Sequence, residues 1–327
     1  MRLTFVNVGY GEAMVLECPD PACRNGRFVM VIDGGGNEAS EFADRSSGRV
    51  PMAEYLTARG MDHIDVMVST HIHEDHLCGL APMLEHWTPR ELWQTLPRDF
   101  YHQMRALNVP DSVNPSQSKF LRALNDYGRI CALVEARGGV IRTITAPAVE
   151  TPCRDLSIHI LAPDARRAEE LRILTDGIYN AEEGAFWPRL NQLDARMNNF
   201  SLVLRLDHRG TRLLLPGDTN CLGYDGIPEE ALRAHLFKMG HHGQRDGVSA
   251  EQLRAISPEA VVCCASSDRR YNSADPGVLT MAAEGGARLY FSDCPPVPGA
   301  SAPLPPHQAL EFTVGPDGMV EGRYLSL

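Results

Sequence analysis

The sequence predicts a layered α/β protein. Three features carry this: an opening pair of strands, apolar runs that end in acidic or histidine-bearing turns, and helical stretches between those runs. Leu3-Thr4-Phe5-Val6-Asn7-Val8 turns at Gly9-Tyr10-Gly11 into Ala13-Met14-Val15-Leu16-Glu17, a predicted hairpin. Residues 27–32 form an apolar run that ends in Asp33, Gly34, Gly35 and Gly36. An acid at the end of a buried strand, followed by glycines, fits either a close approach of backbone or a flexible turn. Residues 51–60 begin with proline and end with glycine, the punctuation of a helix.

The next strand, Ile64-Asp65-Val66-Met67-Val68, runs into Ser69-Thr70-His71-Ile72-His73-Glu74-Asp75-His76. Three imidazoles and two carboxylates within six residues read as a metal site, because both groups suit zinc and similar ions. A His-x-His alone is common in exposed loops, but His-x-His-x-Asp-His after a buried strand is far more specific. Two later strands end the same way: residues 212–215 lead to Pro216-Gly217-Asp218-Thr219, and residues 236–239 lead to Gly240-His241-His242-Gly243.

Between these strands lie stretches near 84–139 and 165–197 that read as pocket-shaping insertions in a single domain spanning residues 1–327. The first carries Trp87, Trp93, Tyr101 and His102 ahead of a predicted helix over 116–137, and its aromatics are read as core. In the second, residues 165–173 read as helix and 175–197 as irregular. Asn198-Asn199-Phe200-Ser201 then opens a strand. Towards the end, helices are predicted near 250–255 and 276–284, strands at 260–265 and 288–292, and a final edge strand at 311–314.

At 327 residues, 43% hydrophobic and 22% charged, the chain can bury a large core. Its net charge of −11 and lack of a basic stripe disfavour nucleic acid as a partner. The strand pattern starts at the amino terminus, leaving no room for a signal peptide, and no apolar run has the length of a membrane span, so no membrane partner and a cytoplasmic location are expected. Nine scattered cysteines form no disulfide framework and are expected as reduced thiols.

Asp33 before the glycines, His71-x-His73-x-Asp75-His76, Asp218 in Pro-Gly-Asp and His241 in Gly-His-His-Gly occur in the order of a known family's motifs. The sequence resembles the metallo-β-lactamase superfamily of hydrolases. Val8-Gly9-Tyr10-Gly11-Glu12-Ala13 and the Asn198–Leu204 segment are most similar to its branch of competence-type DNA-uptake nuclease domains and phosphorylcholine esterases. Tyr10 and Glu12 depart from that branch's usual glutamine and aspartate, and Asn199 stands roughly where a third histidine ligand of the first metal is sought.

The resemblance implies a four-layer αββα sandwich of two mixed β-sheets with outer helices, and two divalent metals, zinc favoured over manganese or iron. On this basis His71 and His73 bind one ion, Asp75, His76 and His241 the other, and Asp218 bridges them. His241 is preferred to His242 as the ligand because it is nearer the strand end. Asp75, Asp218 and His242 form the catalytic set, with His242 as an alternative ligand or a donor to the leaving group. Asp33 orients His71 or His76 from outside the ligand set, while Asn198, Asn199, Thr219 and Gln244 flank the site as candidate outer-shell or substrate contacts. A metal-activated bridging water would then attack a small or medium phosphoester. The alternatives are a competence-type nuclease on DNA or RNA, and a metal-stabilised binding or sensor module. Nothing in the sequence sets an oligomeric state.

Overall fold

Alternation along the strands decides which faces are buried. The computed structural model describes residues 1–182, 184–296, 304–315 and 320–326. The strands are β1 (Arg2–Val6), β2 (Ala13–Pro19), β3 (Arg27–Gly34), β4 (Val66–Val68), β5 (Glu91–Gln94), β6 (Val140–Thr143), β7 (Ala148–Cys153), β8 (Leu156–Ala162), β9 (Val203–His208), β10 (Thr211–Leu215), β11 (Leu236–Lys238), β12 (Ala260–Cys263), β13 (Arg288–Phe291), β14 (Ala309–Val314) and β15 (Val320–Leu325). One sheet runs β15-β14-β1-β2-β3-β4-β5-β6 and the other β13-β12-β11-β10-β9-β8-β7. Both are mixed: β3 to β6 and β10 to β13 pair in parallel, the remaining neighbours antiparallel.

In the central strands every second residue enters the space between the sheets. Phe28, Met30 and Ile32 of β3 meet Leu204 and Leu206 of β9 and Leu213 and Leu215 of β10 there, each buried apolar side chain contributing about 1.5–3 kcal/mol. The residues in between point the other way. Val29 and Val31 pack under helices Met52–Ala58, Pro115–Ala136 and Ala165–Tyr179, and Leu214, Val261 and Cys263 under helices Ala250–Ile256 and Pro276–Glu284. Three apolar cores thus separate four layers, the αββα order that the resemblance implies.

Some local expectations change. Residues 175–197 are not irregular: the Ala165–Tyr179 helix, capped by Asp164 accepting from Arg167 N at 2.8 Å, continues past 173, and a second helix spans Phe186–Asp194. Leu190 and Leu193 bury that second helix, in a stretch whose scattered charges hide the spacing. The predicted edge strand at 311–314 lies inside its sheet, between β1 and β15. The missed β15 reads Val-Glu-Gly-Arg-Tyr-Leu, with a glycine breaking its alternation. Trp87, Trp93 and Tyr101 are buried, in line with the core reading.

The parallel halves of the two sheets aim their strand ends at one edge, where ligands of layered α/β sheets gather. Asp33 falls at the end of β3, the histidine-rich turn follows β4, Asp218 follows β10 and His242 follows β11. The glycines after Asp33 answer to close backbone approach: Gly79 N donates to Gly35 O at 2.7 Å, and a Cβ on Gly79 would lie 1.9 Å from Gly34 O. No side chain fits there without moving main chain. Gly79→Ala is therefore expected to lower the unfolding free energy by about 1–3 kcal/mol, the range typical of overpacking, read as a fall in Tm or denaturant midpoint.

Candidate metal centre

The turn after β4 is held by Asp33. Its Oδ1 accepts from Thr70 N at 2.8 Å, and its Oδ2 accepts from Thr70 Oγ1 at 2.6 Å and from His76 Nδ1 at 2.8 Å. Because the Thr70 hydroxyl donates to Asp33, it accepts from His71 Nδ1, 3.1 Å away. One carboxylate thereby fixes two rings, His76 directly and His71 through Thr70. Asp33 reaches this position with φ of 55°, an uncommon conformation for a residue with a side chain.

The other rings are tied in the same manner. His73 Nε2 donates to Asp194 Oδ1 at 3.2 Å, and His242 Nδ1 donates to the Cys264 carbonyl at 2.9 Å. With the outer nitrogens so engaged, the inner ones face each other: His71 Nε2 lies 3.1 Å from His73 Nδ1, and His76 Nε2 lies 3.2 Å from His242 Nε2. Lone pairs that close repel, and a shared cation or proton converts the repulsion into attraction. Asp218 Oδ2 adds a carboxylate oxygen 3.2 Å from His76 Nε2 and 2.9 Å from His242 Nε2, and Asp75 Oδ2 lies 3.1 Å from His242 Nε2. Donor atoms of Asp75, His76, Asp218 and His242 all fall within 4.8 Å of one another. This donor set, with each imidazole oriented by a protein oxygen, fits a divalent metal.

The structure corrects the choice between the paired histidines. His242 is buried and enters the cluster, while His241 turns its Nδ1 to Asp246 Oδ1 at 2.8 Å and borders the neighbouring cavity. Both have positive φ, 46° and 51°, so the chain reverses between them and nearness to β11 does not decide which ring points inward. His71 and His73 face each other as a pair, and Asp75, His76 and Asp218 come together with His242. Asn198 borders the cavity with its amide oxygen buried and unpartnered among the described residues. The buried Oδ1 of Asn199 instead lies toward Gly223, 3.5 Å from where a Cβ would stand. Thr219 Oγ1 is buried without a partner, and Gln244 Nε2 donates to Tyr10 Oη at 3.4 Å.

Sequence reading missed Asp194, Lys238 and the Cys264 carbonyl. Asp194 fell in the stretch read as irregular, and a backbone carbonyl leaves no trace in side-chain identity. Lys238 did carry a signal, a lone charge inside the apolar run of β11.

Charge and burial compete throughout the cluster. Burial pushes the His71 ring toward its neutral form, and His76 and His73 add to that. Burial also opposes charge on His242, but Asp218 and Asp75 outweigh it and raise its pKa to about 8. Asp218 is held well below the usual carboxylate range, because the rings of His242 and His76 and the Lys238 ammonium overcome its own desolvation. Glu74 goes the opposite way, raised to about 7 by burial and then by Asp75.

Residues 13–104 match the family model described as Metallo-beta-lactamase superfamily. The matched segment holds the β2–β3 strands and the histidine-rich turn, and the two mixed sheets between helices, with this cluster at their shared edge, give the chain the layered architecture of that superfamily. The chain is 23% identical over 301 residues to ComE operon protein 3 of Bacillus subtilis (strain 168), covering 89% of this chain and 32% of that protein. The chain thus spans about a third of that relative's length. Among solved structures, the Zn(2+)-bound PqqB from Methylobacterium extorquens is 10% identical, with 89% of this chain and 98% of that one covered at a TM-score of 0.46. A metal-dependent hydrolase of the beta-lactamase superfamily is 10% identical, with 89% and 95% covered at a TM-score of 0.40.

Two outcomes are expected. His242→Ala loses the tightest equivalent of zinc in a titration against a competing chelator, whereas His241→Ala retains it. In chelator-stripped protein, the stabilisation from the His242 imidazolium is fully present below the unfolded histidine pKa, about 6.5. It is lost as pH rises through about 8, the folded value, so Tm of the metal-free protein falls across that window. Zinc displaces the proton, and the loaded protein gains stability over the same rise.

Proposed function

We propose that the chain is a metal-dependent phosphodiesterase or related phosphoester hydrolase acting on a small or medium substrate. The observation that carries this reading is a cavity of about 310 Å³ that opens on Asp75 and Asp218, a volume at the small end of ligand sites. His73, Asn198, Asp194, Tyr10, Gln244, His241 and Lys119 are among the residues that line it. Two divalent ions at the cluster, zinc favoured and manganese or iron accepting the same donors, would polarise a phosphoryl group and lower the pKa of a shared water.

The chain's own groups supply position and protons. Lys119 comes from the Pro115–Ala136 helix, with Nζ 3.4 Å from Glu74 Oε2, and offers an ammonium to a phosphoryl oxygen in the cavity. Asn198 places an unpaired amide oxygen at the same wall, and the Tyr10 hydroxyl and Gln244 amide offer hydrogen bonds to the ester oxygens. His241 keeps Nδ1–H on Asp246, and in its doubly protonated form the Nε2–H would pass its proton to the departing alkoxide as the P–O bond breaks, leaving the neutral ring and the alcohol. Asp33, Thr70 and Asp194 hold the rings in the tautomers that point lone pairs inward.

A second reading, a nuclease on DNA or RNA, draws on the similarity to ComE operon protein 3 across most of this chain. Against it stand the net charge of −11 and a cavity whose wall carries four carboxylates, Glu74, Asp75, Asp194 and Asp218, with Lys119 the lysine or arginine among its lining residues.

Purified protein loaded with zinc or manganese is expected to hydrolyse an aryl phosphodiester and to lose turnover in Asp218→Ala. Hydrolysis of thioesters or lactams with no action on any phosphodiester would overturn the proposal. Salt-sensitive binding and cleavage of DNA or RNA would favour the nuclease, and bound metal without mutation-sensitive turnover on any ester a binding module. His241→Ala should slow esters of poorly acidic alcohols by about 10²–10⁴-fold, the usual worth of a general acid, and aryl esters much less, since a good leaving group needs no proton.

A further inference from the structure

Behind the cluster lies a charge pair that the hydrolytic reading does not use. Lys238, the last residue of β11, and Glu12, in the turn between β1 and β2, both have no solvent exposure. Their ammonium and carboxylate are in direct contact. Lys238 Nζ also donates to Gly217 O at 2.8 Å and to Asp218 Oδ1 at 3.2 Å. Asp218 therefore has one oxygen on the ammonium and the other, Oδ2, turned to His76 and His242. Glu12 braces the opposite half of the centre with its backbone: its N–H donates to Asp75 O at 3.0 Å, and its carbonyl accepts from Gly35 N at 2.8 Å.

Stability alone is a poor reason for this arrangement. Taking two full charges out of water costs several kcal/mol each, and apolar replacements of buried pairs are often neutral or stabilising. The contact with Asp218 supplies a different reason. An ammonium beside Oδ1 aims the carboxylate, but left alone it would also cancel the negative charge that Asp218 offers a cation. A second carboxylate on the same ammonium removes that penalty. We infer that Glu12 and Lys238 are positioning residues acting as one neutral unit: Lys238 anchors Asp218 through Oδ1 so that Oδ2 is presented to the metal, and Glu12 neutralises Lys238 so that Asp218 keeps its charge for the ion. The inference rests on the cluster being a metal site and is independent of the substrate.

The test compares wild type, Glu12→Gln, Lys238→Met and Glu12→Gln/Lys238→Met. Each is stripped with chelator and titrated with Co²⁺ against a competing chromophoric chelator, while the Co²⁺ visible bands report ligand geometry and Tm reports folding. Glu12→Gln leaves the ammonium uncompensated and should weaken Co²⁺ binding at least tenfold. Lys238→Met frees Asp218 to rotate and should shift the Co²⁺ bands. The double variant has no stray charge and should regain most of the affinity lost in Glu12→Gln, a recovery that a purely structural role would not give. The inference is overturned if Glu12→Gln binds as wild type does, or if the double variant binds as weakly as Glu12→Gln. Should Glu12→Gln fail to fold, the double variant decides: affinity near wild type supports the pair, and a tenfold loss overturns it. A wild type that binds no Co²⁺ overturns the metal reading itself, an outcome distinct from failure of the pair.

Discussion

The carboxylate of Asp33 is the interaction on which the rest of the centre depends. It sits beyond the donor atoms, yet through Thr70 and His76 it determines which nitrogen of two different rings points inward. Because its partners are a backbone N–H, a hydroxyl and an imidazole on one turn, it also fixes the path by which β4 leaves its sheet. The left-handed backbone of Asp33 and the glycines behind it bring that carboxylate close to the turn. The left-handed backbone and close packing here serve orientation of the rings.

Much of this was legible in the sequence, for identifiable reasons. The unbroken apolar run of residues 27–32 marks a strand buried on both faces, although which of its side chains turn toward the other sheet is not written in that run. The cluster His71-Ile72-His73-Glu74-Asp75-His76 is dense enough to mark a site, and Asp218 repeats the pattern of an acid after an apolar run. The choice between His241 and His242 was not legible. It depends on two successive left-handed residues, and a turn that reverses direction exchanges inside and outside without changing composition. Asp194 was hidden because its helix looked irregular, and the partner of Glu12 because the pairing spans 226 positions of chain, a separation that local reading cannot bridge.

The electrostatics of the site differ from those of the surface. The chain is acidic, and its candidate cavity is walled by carboxylates. Such a cavity attracts cations and repels a bare polyanion until bound cations offset its charge. The imidazoles answer the same field, His242 being driven toward protonation by Asp218 and Asp75 while His71, among other rings, is driven away from it. Proton and metal ion therefore compete for one set of lone pairs, and occupancy by either depends on the other.

The donors of the tight cluster come from both sheets: Asp75 and His76 follow β4 of one, Asp218 and His242 follow β10 and β11 of the other. Much of the remaining space between the sheets is filled by apolar side chains, contacts that have no direction and tolerate small sliding, with Glu12–Lys238 and Arg142–Glu150 as charged crossings. An ion held by donors from both sides is directional and acts as a rivet through the seam. Such an ion would add RT ln(1 + [metal]/Kd) to the stability of the folded state, about 2.7 kcal/mol at a hundredfold excess over Kd. With an ion bound, the resistance of the two layers to separation, and with it the lifetime of the molecule against proteolysis, would rise with the free metal concentration around it.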